Sequence, residues 1–137
     1  MSLIFNQNGL KNITPPCVAQ SFVNHNAKLF KLFIIKSEYF VIERPSLKNF
    51  YQNDSFPEDV VHFDSHDISK PNSSNFLTEL DENDRQCKIL QPEKFKLDQI
   101  VNVITKELGL FLLGIDVIIE KITGRYAIID MNSFPGQ

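Results

Sequence analysis

Three features of the 137-residue sequence predict an α+β domain, an antiparallel sheet with packed helices. Residues 18–44 are rich in β-branched and aromatic side chains and are broken by a short polar turn. Residues 92–108 place apolar side chains at helical spacing. Residues 111–132 hold two apolar runs joined across a glycine-containing turn.

Taken in order, Val18–Val23 and Ala27–Arg44 read as strands. Within the second stretch, Leu29, Phe33 and Ile35 share one pleat face with Lys31, and Phe30, Leu32 and Ile34 take the other. Apolar residues on both faces predict a strand buried on both sides. Lys36-Ser37-Glu38 makes the turn into Tyr39–Glu43, and Pro45, which has no N–H to donate, ends the ladder. From Lys48 to Asn75 the chain is polar and predicts a long loop, with one short strand near Val60–Phe63. Pro92 suits the first turn of a helix whose stripe is Leu97, Ile100, Val101, Ile104 and Leu108, and Gly109 is its stop. Phe111–Glu120 and Tyr126–Asn132 then form a hairpin around Gly124.

Composition narrows the functional classes. The length suits one domain, and 42% hydrophobic with 23% charged residues is ordinary for a globular chain. Fourteen Lys and Arg against seventeen Asp and Glu give 14 − 17 = −3, so no general attraction to nucleic acid or an anionic membrane is expected. The longest apolar run, Phe111–Ile119, is nine residues with Asp116 inside it, far short of the ~20 a membrane span needs. The first twelve residues, MSLIFNQNGLKN, lack the features of a signal peptide. Cys17 and Cys87 match neither a zinc pattern nor a disulfide framework. A soluble, reduced, cytoplasmic protein is the expectation.

The hairpin holds the most informative residues. A register symmetric about Thr123 sets Asp116 opposite Asp130 and Gly114 opposite Asn132. Asp116, Asp130 and Asn132 then share a face with Ile118 and Ile128, while Ile115, Val117 and Ile119 meet Ala127, Ile129 and Met131 on a core face. Like charges placed directly opposite each other are destabilising, by about 0.2–1 kcal/mol. A divalent cation compensates economically, because two carboxylates and an amide oxygen are hard ligands suited to Mg²⁺. A solvated carboxylate, or one paired with a lysine, is the structural alternative. Gly114 leaves room over Asn132 for a ligand.

Gly114-Ile115-Asp116 followed by Ile129-Asp130-Met131-Asn132-Ser133-Phe134-Pro135-Gly136 resembles the metal-binding end of ATP-grasp enzymes. With Gln20-Ser21-Phe22-Val23-Asn24-His25-Asn26, Arg44-Pro45-Ser46-Leu47-Lys48-Asn49-Phe50, Ser65-His66 and Ser69-Lys70-Pro71, the chain more narrowly resembles the inositol-tetrakisphosphate 1-kinase (inositol 1,3,4-trisphosphate 5/6-kinase) family, from about Ile4 to Gly136. The resemblance implies an ATP-grasp fold represented mainly by its C-terminal lobe. Residues 1–19 would be the remaining edge of the central lobe, and residues 20–137 the C-terminal lobe with nucleotide hinge and metal-binding hairpin.

It also implies the site. Gln20, Ser21, Phe22 and Val23 would face the adenine edge, with the segment continuing along the nucleotide to Lys31, and Ser46, Ser65 and Ser69 would contact ATP. Asp116, Asp130 and Asn132 would hold Mg²⁺, two ions in the family. Lys31 would lie between nucleotide and substrate, acting with Asp130 in catalysis. Lys31, Asn132 and Gly136 would meet the inositol polyphosphate.

The residue chemistry is compatible with these roles. An unpaired Lys31 ammonium inside an apolar strand is costly, and a phosphate partner would offset that cost; a lysine snorkelling at the strand end or pairing with a Glu is the alternative. Arg44 can add a phosphate contact, whereas Lys48 reads as surface charge. Without the resemblance the three serines read as loop hydroxyls capping local turns. His62 and His66, four apart in a segment that does not look helical, lack a third ligand and are not expected to bind metal. His25 reads as a hydrogen-bonded hinge residue rather than a base.

The chain has no GxxxxGK[ST] loop and no protein-kinase motif set, which excludes those phosphate-transfer designs. The resemblance implies an ATP-dependent kinase that transfers the γ-phosphate to a hydroxyl of inositol tris- or tetrakisphosphate, monomeric in the intact family. An ATP-grasp carboxylate–amine ligase and a non-catalytic remnant that binds nucleotide or a partner are the alternatives. Because the sequence stops directly after the acidic strand, a fragment is expected, inactive alone and marginally stable.

Overall fold

A computed structural model of the chain describes residues 1–72 and 74–133. Its elements in order are β1 (Ser2–Ile4), a 3-10 turn (Gln7–Asn12), β2 (Lys28–Ile35), β3 (Glu38–Pro45), β4 (Val60–His62), α1 (Ser65–Ser69), a second 3-10 turn (Phe76–Thr78), α2 (Glu82–Arg85), α3 (Lys94–Leu108), β5 (Leu112–Ile119) and β6 (Tyr126–Asn132). β1 pairs only with β4, antiparallel, and the other four strands form one antiparallel sheet in the order β3-β2-β5-β6.

The core follows from two periodicities meeting. Period-two alternation puts Phe30, Leu32 and Ile34 of β2 beside Leu113, Ile115, Val117 and Ile119 of β5. Helical spacing puts Leu97, Val101 and Ile104 of α3 against them, and all of these side chains are buried. Gly109 ends α3 in the left-handed region at φ 62°, and its N–H closes the last turn on the Thr105 carbonyl at 3.0 Å. A side chain there would strain the cap, so glycine is the natural stop. At the other end Pro92 stands just ahead of the helix, and the Glu93 N–H donates to the Tyr126 hydroxyl at 2.7 Å.

The opposite face of the sheet lies outside that core. Leu29, Lys31 and Phe33 are therefore only half-buried and Ile35 is exposed, so β2 is sealed on one face rather than two. Phe40 and Ile42 of edge strand β3 are exposed on the same open side.

Four expectations change. Val18–Val23 is not a strand: among the described residues, Val18 to Phe22 make no backbone hydrogen bond, and side chains of the residues that follow anchor the segment instead. The Lys48–Asn75 loop contains helix α1, capped by the Asp64 carboxylate accepting from the His66 N–H at 2.8 Å. The hairpin register holds at Asp116↔Asp130 and Gly114↔Asn132 but shifts between Asp116 and Val117, so that Val117 faces Ile128 and Ile118 faces Ala127. Ile129 is the extra residue of a bulge, and Ile128 and Ala127 exchange the faces that symmetry assigned them. Finally, β6 is an edge strand whose Ile128, Ile129 and Met131 are exposed, so β5 supplies the buried core face of the hairpin and β6 adds only the half-buried Tyr126.

The N-terminal segment is fastened to residues 59–63. The Phe5 N–H donates to the Asp59 carbonyl at 3.1 Å, and the Asn6 amide donates to the Asp59 carboxylate at 2.6 Å. Gly9 is needed there, because a Cβ would sit 2.5 Å from the Asp59 carbonyl oxygen. None of the described helices is long and apolar enough to cross a membrane.

Candidate functional site

Strand pairing builds a polar row across the open face. Lys31 is opposite Ile42 on one side and Asp116 on the other, and Asp116 is in turn opposite Asp130. The next row along the same face is Phe40, Phe33, Gly114 and Asn132. Directly paired residues share a face, so Lys31, Asp116, Asp130 and Asn132 are brought together by register alone.

Within this row the Lys31 ammonium donates to Asp116 Oδ1 at 2.9 Å, with both side chains mostly covered. The Asn132 amide nitrogen donates to Asp130 Oδ2 at 2.8 Å, leaving the Asn132 Oδ1 directed elsewhere. Lys31 thus already supplies a cation to one member of the carboxylate pair. Among the described residues no three His, Cys, Asp or Glu side chains converge on a metal position. The donor set is two carboxylates and an amide, one monocation already in place. It fits Mg²⁺, which takes one or two carboxylates and completes its shell from water and phosphate oxygens.

The hinge segment is positioned differently from the sequence expectation. Gln20, Ser21 and Phe22 are exposed and Val23 half-buried. Directly after them, three successive side chains grip residues 46–50. Asn24 donates to the Phe50 carbonyl at 3.0 Å and accepts from the Phe50 N–H at 2.9 Å. Buried His25 donates from Nδ1 to the Val23 carbonyl at 2.6 Å, which leaves Nε2 to accept from the Ser46 hydroxyl at 2.7 Å. Burial pulls the His25 pKa down against the carbonyl bond that raises it, so the ring is neutral, a structural residue and not a base. The Asn26 N–H donates to Asn49 Oδ1, and the Asn49 amide donates back to Asn26 Oδ1, both at 2.9 Å. Asn26 and Ala27 both have positive φ, 57° and 55°, where the chain turns into β2.

A buried ion pair braces the same region. Lys121, in the hairpin turn, donates to Asp84 Oδ1 at 2.5 Å and to the Tyr51 hydroxyl at 2.7 Å, and Tyr51 donates to the same carboxylate oxygen at 2.7 Å. Burial pushes the Asp84 pKa up, but hydrogen bonds from Lys121, Tyr51 and Asn49 outweigh it and hold the carboxyl below its usual range. The Asp84 hydrogen bond, with Tyr51 adding to it, holds the Lys121 ammonium well above its usual range despite partial burial. Sequence reasoning missed both networks. The spacing Asn24-His25-Asn26 was visible, but its partner Asn49 lies 23 residues from Asn26, and Asp84 lies 37 from Lys121.

The other expected site residues are dispersed. Ser46 is buried with its hydroxyl engaged by His25, whereas Ser65 and Ser69 lie exposed at the two ends of α1. Lys48 pairs with Asp81 at 3.0 Å, as a surface charge would. His62 sits on β4 against the Ser2 hydroxyl and His66 on α1, so the two share no helix face. Gly136 lies outside the described residues.

An antiparallel sheet covered by a helix on one side, with an Asp, Asp, Asn set on its open side, is what an ATP-grasp lobe presents. The chain belongs to the inositol 1,3,4-trisphosphate 5/6-kinase ATP-grasp domain family, whose pattern matches residues 1–137. It is 45% identical to the inositol-tetrakisphosphate 1-kinase of Xenopus laevis and 44% identical to that of Danio rerio, covering 99% of this chain and 34% of each relative. It is 31% identical to inositol-tetrakisphosphate 1-kinase 5 of Oryza sativa subsp. japonica, covering 99% of this chain and 40% of that protein. The chain spans a little over a third of the length of these curated relatives.

Proposed function

We propose that the chain is the nucleotide- and metal-binding part of an inositol polyphosphate kinase, which transfers the γ-phosphate of ATP to a hydroxyl of inositol tris- or tetrakisphosphate. The observation that carries this reading is the register-built row Lys31, Asp116, Asp130 with Asn132 beside it, on the sheet face turned away from the α3 core. Family membership supports it. Residues 20–137 would act as the C-terminal lobe and residues 1–19 as an edge of the central lobe, with β1 joined to β4 across that boundary.

Each residue then has a task. Gln20–Val23 would face an adenine edge, with the Val23 carbonyl held by His25 and residues 20–22 making no backbone–backbone hydrogen bond among the described residues. Ser65 and Ser69 present hydroxyls from α1 to the nucleotide, and Ser46 adds its own while anchored by His25. Asp116, Asp130 and the Asn132 carbonyl oxygen would hold Mg²⁺, two ions by the family resemblance. When bound, Mg²⁺ would supply positive charge that offsets the charge developing on the phosphates. Lys31 supplies a positive charge to the transferring group, and Asn132 and Gly136 border the inositol phosphate. A loose transition state asks for positioning and charge rather than a strong base, which matches a row containing no histidine.

Lys31 and the metal compete for Asp116 in this arrangement. Two unit charges about 4 Å apart interact by about 1 kcal/mol even at the dielectric of water, and a divalent ion doubles that. Lys31→Met is therefore expected to tighten Mn²⁺ binding to the nucleotide-free chain about tenfold or more, measured by electron paramagnetic resonance of free Mn²⁺. Weaker binding in the variant would show that Lys31 supports the site rather than guarding it.

The function itself is tested with a full-length protein containing this segment, ATP, Mg²⁺ and inositol tetrakisphosphate. A phosphorylated inositol is the expected product. An amide-bonded product from amino-acid acceptors would instead indicate a ligase.

A further inference from the structure

A row of unpaired backbone groups recognises a ligand edge only if something fixes its direction. Among the described residues, no strand pairs with Val18–Phe22, so sheet hydrogen bonds do not fix it. The fixing point is the residue at its end. Asn24 imitates one rung of a β-ladder with its side chain, exchanging two hydrogen bonds with the Phe50 backbone at 3.0 and 2.9 Å. Its own carbonyl accepts from the Lys121 N–H at 2.8 Å, in the turn of the β5–β6 hairpin. A single residue therefore ties the hinge to the 46–50 segment and to the hairpin that carries Asp116 and Asp130. His25 adds a bond from Nδ1 to the Val23 carbonyl and accepts the Ser46 hydroxyl on Nε2, and Asn26 bonds Asn49, so neither reaches the Phe50 backbone or the hairpin as Asn24 does.

We propose that Asn24 is a positioning residue: without touching the nucleotide, it aims the backbone of residues 20–23 and sets the geometry between that backbone and the acidic hairpin. This rests on the reading of residues 20–23 as the nucleotide-facing segment, and the test separates the two. Backbone ¹⁵N relaxation of the chain should give Ser21–Val23 order parameters near the rigid value of ~0.85, falling below ~0.6 in Asn24→Ala while β2 and β5 stay unchanged. ATP affinity should fall about tenfold in the same variant, the loss expected from about one net hydrogen bond. Asn24→Asp keeps the acceptor for the Phe50 N–H and loses the donor, so both readouts should lie between; it also decides the matter if Asn24→Ala does not fold. Order parameters unchanged at residues 21–23 overturn the proposal, as does lost order with undiminished ATP affinity. Lost order in a chain whose wild type binds no ATP upholds Asn24 as the anchor and overturns the nucleotide reading instead.

Discussion

Phosphoryl transfer by a full-length protein carrying this segment is expected to fall about 100-fold or more in Asp130→Asn, with folding intact. The rate effect follows because stabilisation of charge in the transition state supplies most of catalysis in this chemistry, and loss of a single such contact typically costs about 100- to 1,000-fold. Folding should survive because Asp130 is exposed on an edge strand and contributes nothing to the core of β2, β5 and α3. Removing one of two directly opposed carboxylates relieves repulsion of about 0.2–1 kcal/mol, so the melting midpoint should stay level or rise. Steady-state transfer and thermal melting on the same preparation check both halves. Near-wild-type turnover would remove Asp130 from the site, and collapse of the fold would show that its role is structural.

Lys121→Met is expected to be among the most destabilising single substitutions in the chain, at about 3–5 kcal/mol. Asp84 is 4% exposed and its Oδ2 has no hydrogen-bond partner, so Lys121 and Tyr51 on Oδ1 carry most of its compensation. Removing the ammonium leaves a buried, poorly compensated carboxylate. The pH dependence has a defined sign. Asp84 has a lowered folded pKa, so its contribution is present above the unfolded value of about 3.9 and is lost as acid titrates it through the folded one. Lys121 has a raised folded pKa, so its contribution holds below about 10.4 and is lost only in stronger alkali. The stability gap between wild type and Lys121→Met should therefore be widest near neutral pH and narrow in acid, where the Asp84 carboxyl becomes protonated in both proteins. Urea unfolding at pH 7 and pH 3 measures it, and an equal gap at the two values would contradict the account.

How far the sequence carried depends on whether a signal is periodic or relational. Helix α3 was legible because Leu97, Val101 and Ile104 repeat at helical spacing and Gly109 marks the stop. The opposed carboxylates were legible because a short hairpin leaves few registers. The bulge at Ile129 was not, since Ile128 and Ile129 are chemically alike and nothing local marks which of them is extra. Val18–Val23 failed for a related reason. Its composition suits a strand, but strandedness needs a partner, and the hydrogen bonds that tie this part of the chain down begin after it, at the Asn24, Asn26 and Asn49 side chains. Asparagine so often marks turns that its use as a substitute for backbone pairing left no separate trace. The Lys121–Asp84 pair is likewise a contact between two unremarkable surface-type residues until tertiary packing closes over them.

The divalent-cation site proposed for Asp116, Asp130 and Asn132, gathered by strand register beside Lys31, is what distinguishes this face of the sheet. Its most direct test is ¹⁵N-resolved NMR of the chain titrated with Mn²⁺ and ATP, because paramagnetic broadening falls off steeply with distance from the ion. The account predicts that the amides of Lys31, Asp116, Asp130 and Asn132 broaden first and together, and that Asp116→Asn abolishes the effect. Earliest broadening around Asp54, Glu58 and Asp59, or around Asp81 and Glu82, with the β5–β6 row left sharp, would contradict it.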